Sequence, residues 1–302
     1  MKNKMKLVAS SQNVSIHCPE NGRFSFFNSP YPAHRLCSAV DIYTPTRNFG
    51  CEAYAPVSGE VIGLRAVGHF QRRFFECSDR DYVMLIRSLE NPNVVVKILH
   101  VKPNVNVGDF VSAGEKFGTL LRSGFFDFWT DPHIHLEVRN PSDPLRVRGA
   151  YKIDRAFKME DIKVLGKFAG EVVECNPEYS LIAFKEDLTF GIPVMIGDCM
   201  GILDGGIPHY GFFGVHLERL KPIMAGEEVK LCGETLGRVA SVLGDTCLVS
   251  VNPLRFTVNG VEVGLSLYLN LSKTFLKIVP RKVGELNLKM GDEVRIKMCS
   301  FG

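Results

Sequence analysis

No run of about 18 uncharged apolar residues occurs anywhere in the chain, so no transmembrane helix is expected. The N-terminus, MKNKMKLVAS, has lysines but only the apolar stretch Leu7-Val8-Ala9. That is far short of the roughly 7 to 15 apolar residues a signal peptide needs, so no export signal is expected. Nine cysteines are present, yet no Cys-x-x-Cys pair. Without an export signal this usage fits reduced thiols in a cytoplasm better than a disulfide framework. An excess of one charge sign is also missing. Lys plus Arg total 36 against 33 Asp plus Glu, a net charge of +3, which gives no reason to expect nucleic acid as a partner. Gly-x-Ser-x-Gly, His-Glu-x-x-His and dinucleotide fingerprints are absent. Gly108-Asp-Phe-Val-Ser-Ala-Gly-Glu115 has P-loop spacing but places Glu where Lys is required.

Sustained helical periodicity is scarce too. The best short helical candidates are Tyr151–Phe157 and Met159–Val164. What dominates instead is a series of short β-branched segments bounded by Gly, Pro or Asn: Val57–Leu64, Tyr82–Arg87, Val94–Leu99 and Ile134–Val138. At 302 residues, with 45% hydrophobic and 23% charged residues, the chain reads as about two globular domains. We therefore expect a mainly β protein: an N-terminal β-sandwich or barrel-sandwich-hybrid-like domain over residues 1–155, then a β-rich companion over 156–302. The seam is read from the turn chemistry of Asn140-Pro-Ser-Asp-Pro144, the basic stretch Arg146–Lys158, and strand signals that restart at Gly170. The phrase Gly-Asp/Glu-x-Val recurs at Gly108, Gly226 and Gly291. Generic β-turn grammar explains it better than a related fold in both halves.

The chemistry concentrates in Pro132-His-Ile-His-Leu-Glu-Val-Arg139. On a strand, residues i and i+2 share a face, so His133, His135 and Glu137 lie together and Ile134, Leu136 and Val138 face the core. One histidine suits a metal and the other suits action on a substrate beside it. Glu137 reads as a solvated side chain in preference to one that orients a histidine. His100 ends the apolar run Val94–Leu99 and precedes turns, a good place for a group that reaches a pocket. Upstream, Ala33-His-Arg-Leu-Cys-Ser-Ala-Val-Asp-Ile-Tyr43 offers His34, Cys37 and Asp41, whose side chains are all zinc-ligand types. Phe125, Phe126, Phe128 and Trp129, flanked by Asp127 and Asp131, read as a packed hydrophobic cluster or as a groove wall. His209 and His216 repeat the seven-residue spacing of His34 and Asp41, but read as turn and strand residues.

Taken in order, these segments resemble the lysostaphin-type zinc metallopeptidases, the glycyl-glycine endopeptidase type with a duplicated hybrid motif fold. The resemblance runs over about residues 28–145. It includes His34 to Asp41-Ile42, Ala55-Pro-Val-Ser-Gly-Glu-Val61, Leu99-His100, the glycine phrase at 107–118, and Pro132–Arg139. It implies a zinc peptidase acting on a peptide or peptide-crosslinked polymer, with His34, Asp41 and His135 on the metal and His100 and His133 in catalysis. Three protein ligands leave a fourth zinc position for water, whose pKa falls toward neutrality. The family's first motif normally has three residues between His and Asp. Here Cys37 occupies that slot and His34 stands three residues earlier, so the third ligand is His34 or Cys37. His34 is preferred because hydrolytic zinc favours less electron-rich ligands. Family members cut cell-wall crosslinks outside the cell, whereas a cytoplasmic location is expected here. A non-catalytic relative that binds peptide, glycan or protein is the alternative.

Overall fold

The structure, a computed structural model, describes residues 3–68, 74–218 and 222–300. Strands dominate it, and the one α-helix among the described residues is a single turn, α1 (Pro32–Arg35). The fold is mainly β in both halves, as expected. The chain divides into two compact units. One holds Met1–Phe26 and Tyr31–Phe157; the other holds Lys158–Gly302 together with the short segment Phe27–Pro30. Among the described residues no helix is long and apolar enough to cross a membrane. No disulfide joins any of the nine cysteines.

The N-terminal unit is built from β1 (Met5–Ser11), β2 (Val14–Pro19), β3 (Arg23–Ser25), β4 (Val40–Tyr43), β5 (Glu52–Tyr54), β6 (Gly59–Gly68), β7 (Arg80–Ser88), β8 (Val95–Leu99), β9 (Val101–Pro103), β10 (Phe110–Val111), β11 (Lys116–Leu120), β12 (His133–Arg139) and β13 (Asp154–Arg155). Its central sheet runs β10-β6-β7-β8-β12-β4-β3. Two smaller sheets, β13-β1-β2 and β5-β11-β9, complete the unit. Every pairing is antiparallel, and β12 sits between β4 and β8.

That central position changes how β12 must be read. Alternation suggests one polar and one apolar face, but all seven residues of β12 are buried. The apolar set Ile134, Leu136 and Val138 lies against the core, each side chain worth about 1.5–3 kcal/mol by its burial. The polar set His133, His135, Glu137 and Arg139 is buried as well, so each member needs a partner. Register supplies two. Asp41 of β4 lies directly across from His135, and Lys97 of β8 lies directly across from Glu137. A slip of one residue would turn the whole set to the other face.

Neither of the short helical candidates forms a helix. Asp154 and Arg155 pair with Ser10 and Ala9 of β1 instead, and Ile153 is fully buried. Over 159–164 the left-handed backbone at Asp161 (φ 56°) is incompatible with a continuous right-handed helix.

In the C-terminal unit six strands close on themselves. Pro193–Ile196 pairs with both Cys199–Ile207 and Glu228–Leu231, so the order 193–196, 228–231, 234–242, 246–251, 212–217, 199–207 returns to its start. Val194, Leu203, Val215, Val229 and Val249 belong to its buried core. A further sheet of strands from 169–183 and 254–300 extends from Cys199–Ile207.

The repeated glycine phrase is one turn used three times. At Asn106–Asp109, Met224–Glu227 and Lys289–Asp292 the acidic side chain accepts from the backbone N–H three residues earlier. The glycine between them has φ of 96°, 94° or 88°, a region open to glycine at little cost. In each copy the glycine N–H donates to a valine carbonyl, of Val61, Val239 or Val172. That valine's N–H donates back to the acidic residue's carbonyl.

Candidate metal centre

His34 arrives from α1, which Pro32 starts and which buries Ala33 and His34. The chain leaves the helix through Cys37 in a left-handed conformation (φ 54°), and Ser38 turns back to the Ala33 carbonyl through both its N–H and its hydroxyl. β4 then begins at Val40 and delivers Asp41. The helical turn and its exit absorb the extra residues between His34 and Asp41. Cys37 Sγ faces away and donates to the Ile153 carbonyl at 3.7 Å. It is outside the cluster, so the arrangement of donors uses His34 and not the Cys37 alternative.

His34, Asp41 and His135 converge. His34 Nε2 lies 3.1 Å from His135 Nδ1 and 3.3 Å from Asp41 Oδ1, and His135 Nδ1 lies 2.9 Å from the same oxygen. The far side of each ring fixes its proton. His34 Nδ1 donates to the Phe26 carbonyl at 2.7 Å, and His135 Nε2 donates to Glu137 Oε1 at 3.2 Å. A neutral imidazole has one N–H, so His34 Nε2 and His135 Nδ1 both present lone pairs to a carboxylate oxygen. Three lone pairs so placed repel unless a proton or a cation joins them. Zinc bonds of about 2.0–2.2 Å set tetrahedral ligand edges of about 3.3–3.6 Å, close to the observed triangle. Asp41 Oδ2 is buried with no hydrogen-bond partner, a further unmet acceptor at the same place. The donor set therefore fits a small divalent cation.

In the metal-free protein a proton can serve. Burial lowers the pKa of His135, but its hydrogen bonds to Asp41 and Glu137 outweigh this and push it up to about 9. Burial raises the pKa of Asp41, yet the surrounding imidazoles of His34, His133 and His135 hold it well below the usual carboxylate range. Glu137 is fully buried, against the expectation of a solvated side chain. Lys97 Nζ donates to its Oε1 at 2.8 Å, and Arg139 donates to its Oε2. Burial works against its charge, but His135 and Lys97 bring its pKa down to about 2.

The other two histidines stand beside this triangle without joining it. His133 Nδ1 donates to the Asp131 carbonyl at 2.9 Å, which leaves Nε2 bare and 3.6 Å from Asp41 Oδ2. Burial lowers its pKa to about 4 in spite of Asp41, so its ring is neutral at pH 7. The His100 ring centroid lies 5.1 Å from that of His133 and 6.1 Å from that of His135. Phe126 covers both. It stacks on His133 at 4.7 Å with a 22° tilt and meets His100 edge-on at 4.6 Å. Of the aromatic loop, Phe126 lines this site, whereas Phe128 packs against Trp129 and Phe74.

Besides Lys97, two further partners are not legible in the sequence. Asp81, at the start of β7, accepts from His100 Nδ1 and from the Ser123 hydroxyl. Arg23 closes the other end by pairing with Asp131 at 2.5 Å. The remaining pair, His209 and His216, serves the C-terminal unit. His216 is buried between Asp204 at 3.0 Å and Thr246 at 3.2 Å, and His209 lies in the turn before its strand.

The molecule is thus a two-unit, all-β protein with a buried His-Asp-His cluster in its N-terminal half. Residues 14–155 match the N-terminal domain, and residues 168–299 the C-terminal domain, of a family described as a domain of unknown function, DUF8155. With both domains present in order, the chain belongs to that family. No curated protein and no solved structure matches it.

Proposed function

We propose that the N-terminal domain is a zinc-dependent peptidase. The observation that carries this reading is the triangle of His34, Asp41 and His135 with edges of 2.9 to 3.3 Å, flanked by two histidines that do not belong to it. His34 Nε2, His135 Nδ1 and Asp41 Oδ1 would hold the metal. Zinc at such a site supplies Lewis-acid polarisation of a carbonyl and lowers the pKa of water toward neutrality. His133 presents bare Nε2 to the same space and can accept a proton there. His100, held at Nδ1 by Asp81, has its second nitrogen for accepting a proton from a substrate. Peptide as the substrate class follows from the resemblance to lysostaphin-type enzymes, carried by the ordered motifs from His34 to Arg139.

Hydrolysis of glycine-rich and wall-type peptides by the zinc-loaded chain tests this directly. Cleavage that is lost in His133→Ala with about one zinc per chain retained supports the assignment. Loss of the metal in that variant shows that His133 is itself a ligand.

Burial favours a second reading. His34 and Asp41 are fully buried, and His135, His133 and His100 are 3%, 5% and 8% exposed. A scaffold that holds its metal for structure and binds a peptide, glycan or protein elsewhere has no need of access to it. Stoichiometric zinc together with no cleavage of any peptide in the screen selects this reading.

A further inference from the structure

Asp81 lies outside every motif that carries the resemblance, yet it is the most fully engaged carboxylate near the centre. It is 2% exposed, and both its oxygens are used twice. Oδ1 accepts the backbone N–H groups of Tyr82 at 2.7 Å and His100 at 3.0 Å. Oδ2 accepts Nδ1–H of His100 at 2.5 Å and the Ser123 hydroxyl at 2.5 Å. Burial opposes its charge, but His100, Ser123 and the Tyr82 N–H outweigh this and bring its pKa to about 2.

His100 needs this support. Its φ is +70°, a left-handed conformation that residues with a Cβ adopt at a cost. Asp81 grips it at two points, backbone N–H and ring Nδ1–H, so one carboxylate sets both the backbone conformation and the ring's aim. Ser123 opens the aromatic loop, and the Phe126 N–H bonds its carbonyl at 3.1 Å. Asp81 therefore joins the bend between β8 and β9 that carries His100 to the loop that covers it.

We propose that Asp81 is a positioning residue that holds His100 in the Nδ1–H tautomer, leaving Nε2 bare beside His133, with Ser123 as its second anchor. Its consequence for turnover rests on the peptidase reading above; its consequence for the ring does not. A carboxylate can only accept, so it selects the tautomer with the proton on Nδ1. In Asp81→Asn the backbone N–H groups of Tyr82 and His100 hold the amide oxygen, so the NH2 faces His100 Nδ1 as a donor and releases that selection.

The test uses the full chain, metal-free and ¹⁵N-labelled, with histidine tautomers read from long-range ¹H–¹⁵N correlations. The His100 pattern is assigned by its loss in His100→Ala. We expect Nδ1–H at His100 in the wild type and a shift to Nε2–H in Asp81→Asn, with zinc stoichiometry unchanged in that variant. On any peptide the zinc-loaded wild type cleaves, kcat of Asp81→Asn falls about 10³-fold or more with KM within about twofold. An Nδ1–H tautomer retained in Asp81→Asn overturns the inference. If that variant does not fold, the wild-type spectrum still decides, because Nε2–H at His100 there overturns it equally. A wild type that cleaves nothing removes the peptidase reading and leaves the tautomer comparison standing.

Discussion

Glu137 lies directly across β12–β8 from Lys97, takes its ammonium at 2.8 Å, and with the same oxygen accepts Nε2–H of His135 at 3.2 Å. A carboxylate behind a metal-directed imidazole fixes its tautomer and raises its basicity. Replacing Glu137 by Gln keeps the shape and removes the charge. We expect zinc affinity in Glu137→Gln to fall about 10- to 100-fold, measured by competition with a chelating dye. Glu137→Ala leaves Lys97 and Arg139 buried without their partner and costs about 3–5 kcal/mol in denaturant unfolding. Wild-type affinity in the Gln variant would confine Glu137 to a structural role.

The ligand set is open to a sharper check, because the two sequence alternatives differ by one residue type. Elemental analysis of freshly purified protein should find about one zinc per chain. His34→Ala and His135→Ala should each lose it, since each removes one corner of the triangle. Cys37→Ser should keep it, since Cys37 Sγ is committed to the Ile153 carbonyl. Zinc lost from Cys37→Ser and kept in His34→Ala would reverse the assignment.

If zinc occupies the triangle, protons compete with it at His135. In the metal-free protein its pKa is raised from 6.5 to about 9. A raised histidine pKa stabilises the fold fully below the unfolded value and loses that contribution as pH rises through the folded value. The Tm of the metal-free chain should therefore fall between pH 6.5 and about 9 by way of this group. Zinc needs His135 unprotonated, so at pH 7 its binding should release about one proton. Calorimetry in buffers of different ionisation enthalpy reads that number. A value near zero at pH 7 means that His135 is already neutral there.

Much of this was legible from spacing alone. The alternation in Pro132–Arg139 marks a strand with His133 and His135 on one face, and short β-branched runs mark both halves as β. Other features depend on which strand lies opposite, and a single sequence does not show that. Glu137 reads as a solvated residue until Lys97 is placed across from it in a strand that otherwise runs Val-Val-x-Ile-Leu. Asp81 sits 19 positions before His100 and meets it only because β7 and β8 pair, with Val83 opposite Leu99. Tyr151–Phe157 has local helical spacing, but β1 claims its backbone and tertiary pairing wins. The recurring glycine phrase is legible as a turn, because its acidic residue and its left-handed glycine act within a few residues of each other.

Phe126 lies against both histidines that flank the His34–Asp41–His135 triangle, and the residue is 5% exposed. Truncating a buried aromatic ring costs about 3–5 kcal/mol when the cavity stays open, and less when a loop collapses into it. In Phe126→Ala the imidazoles of His133 and His100 should become accessible, and their acylation by diethyl pyrocarbonate should speed up, as followed by peptide mapping. His216, buried in the other unit between Asp204 and Thr246, serves as the internal control and should stay unreactive. Zinc content should not change, because the contacts that hold the triangle run among His34, Asp41 and His135 themselves. If Phe126 is the cover, the same variant should also cleave bulky peptides faster relative to small ones. Acylation at the wild-type rate would mean that other groups shield the histidines, and Phe126 would then lose its role as the cover.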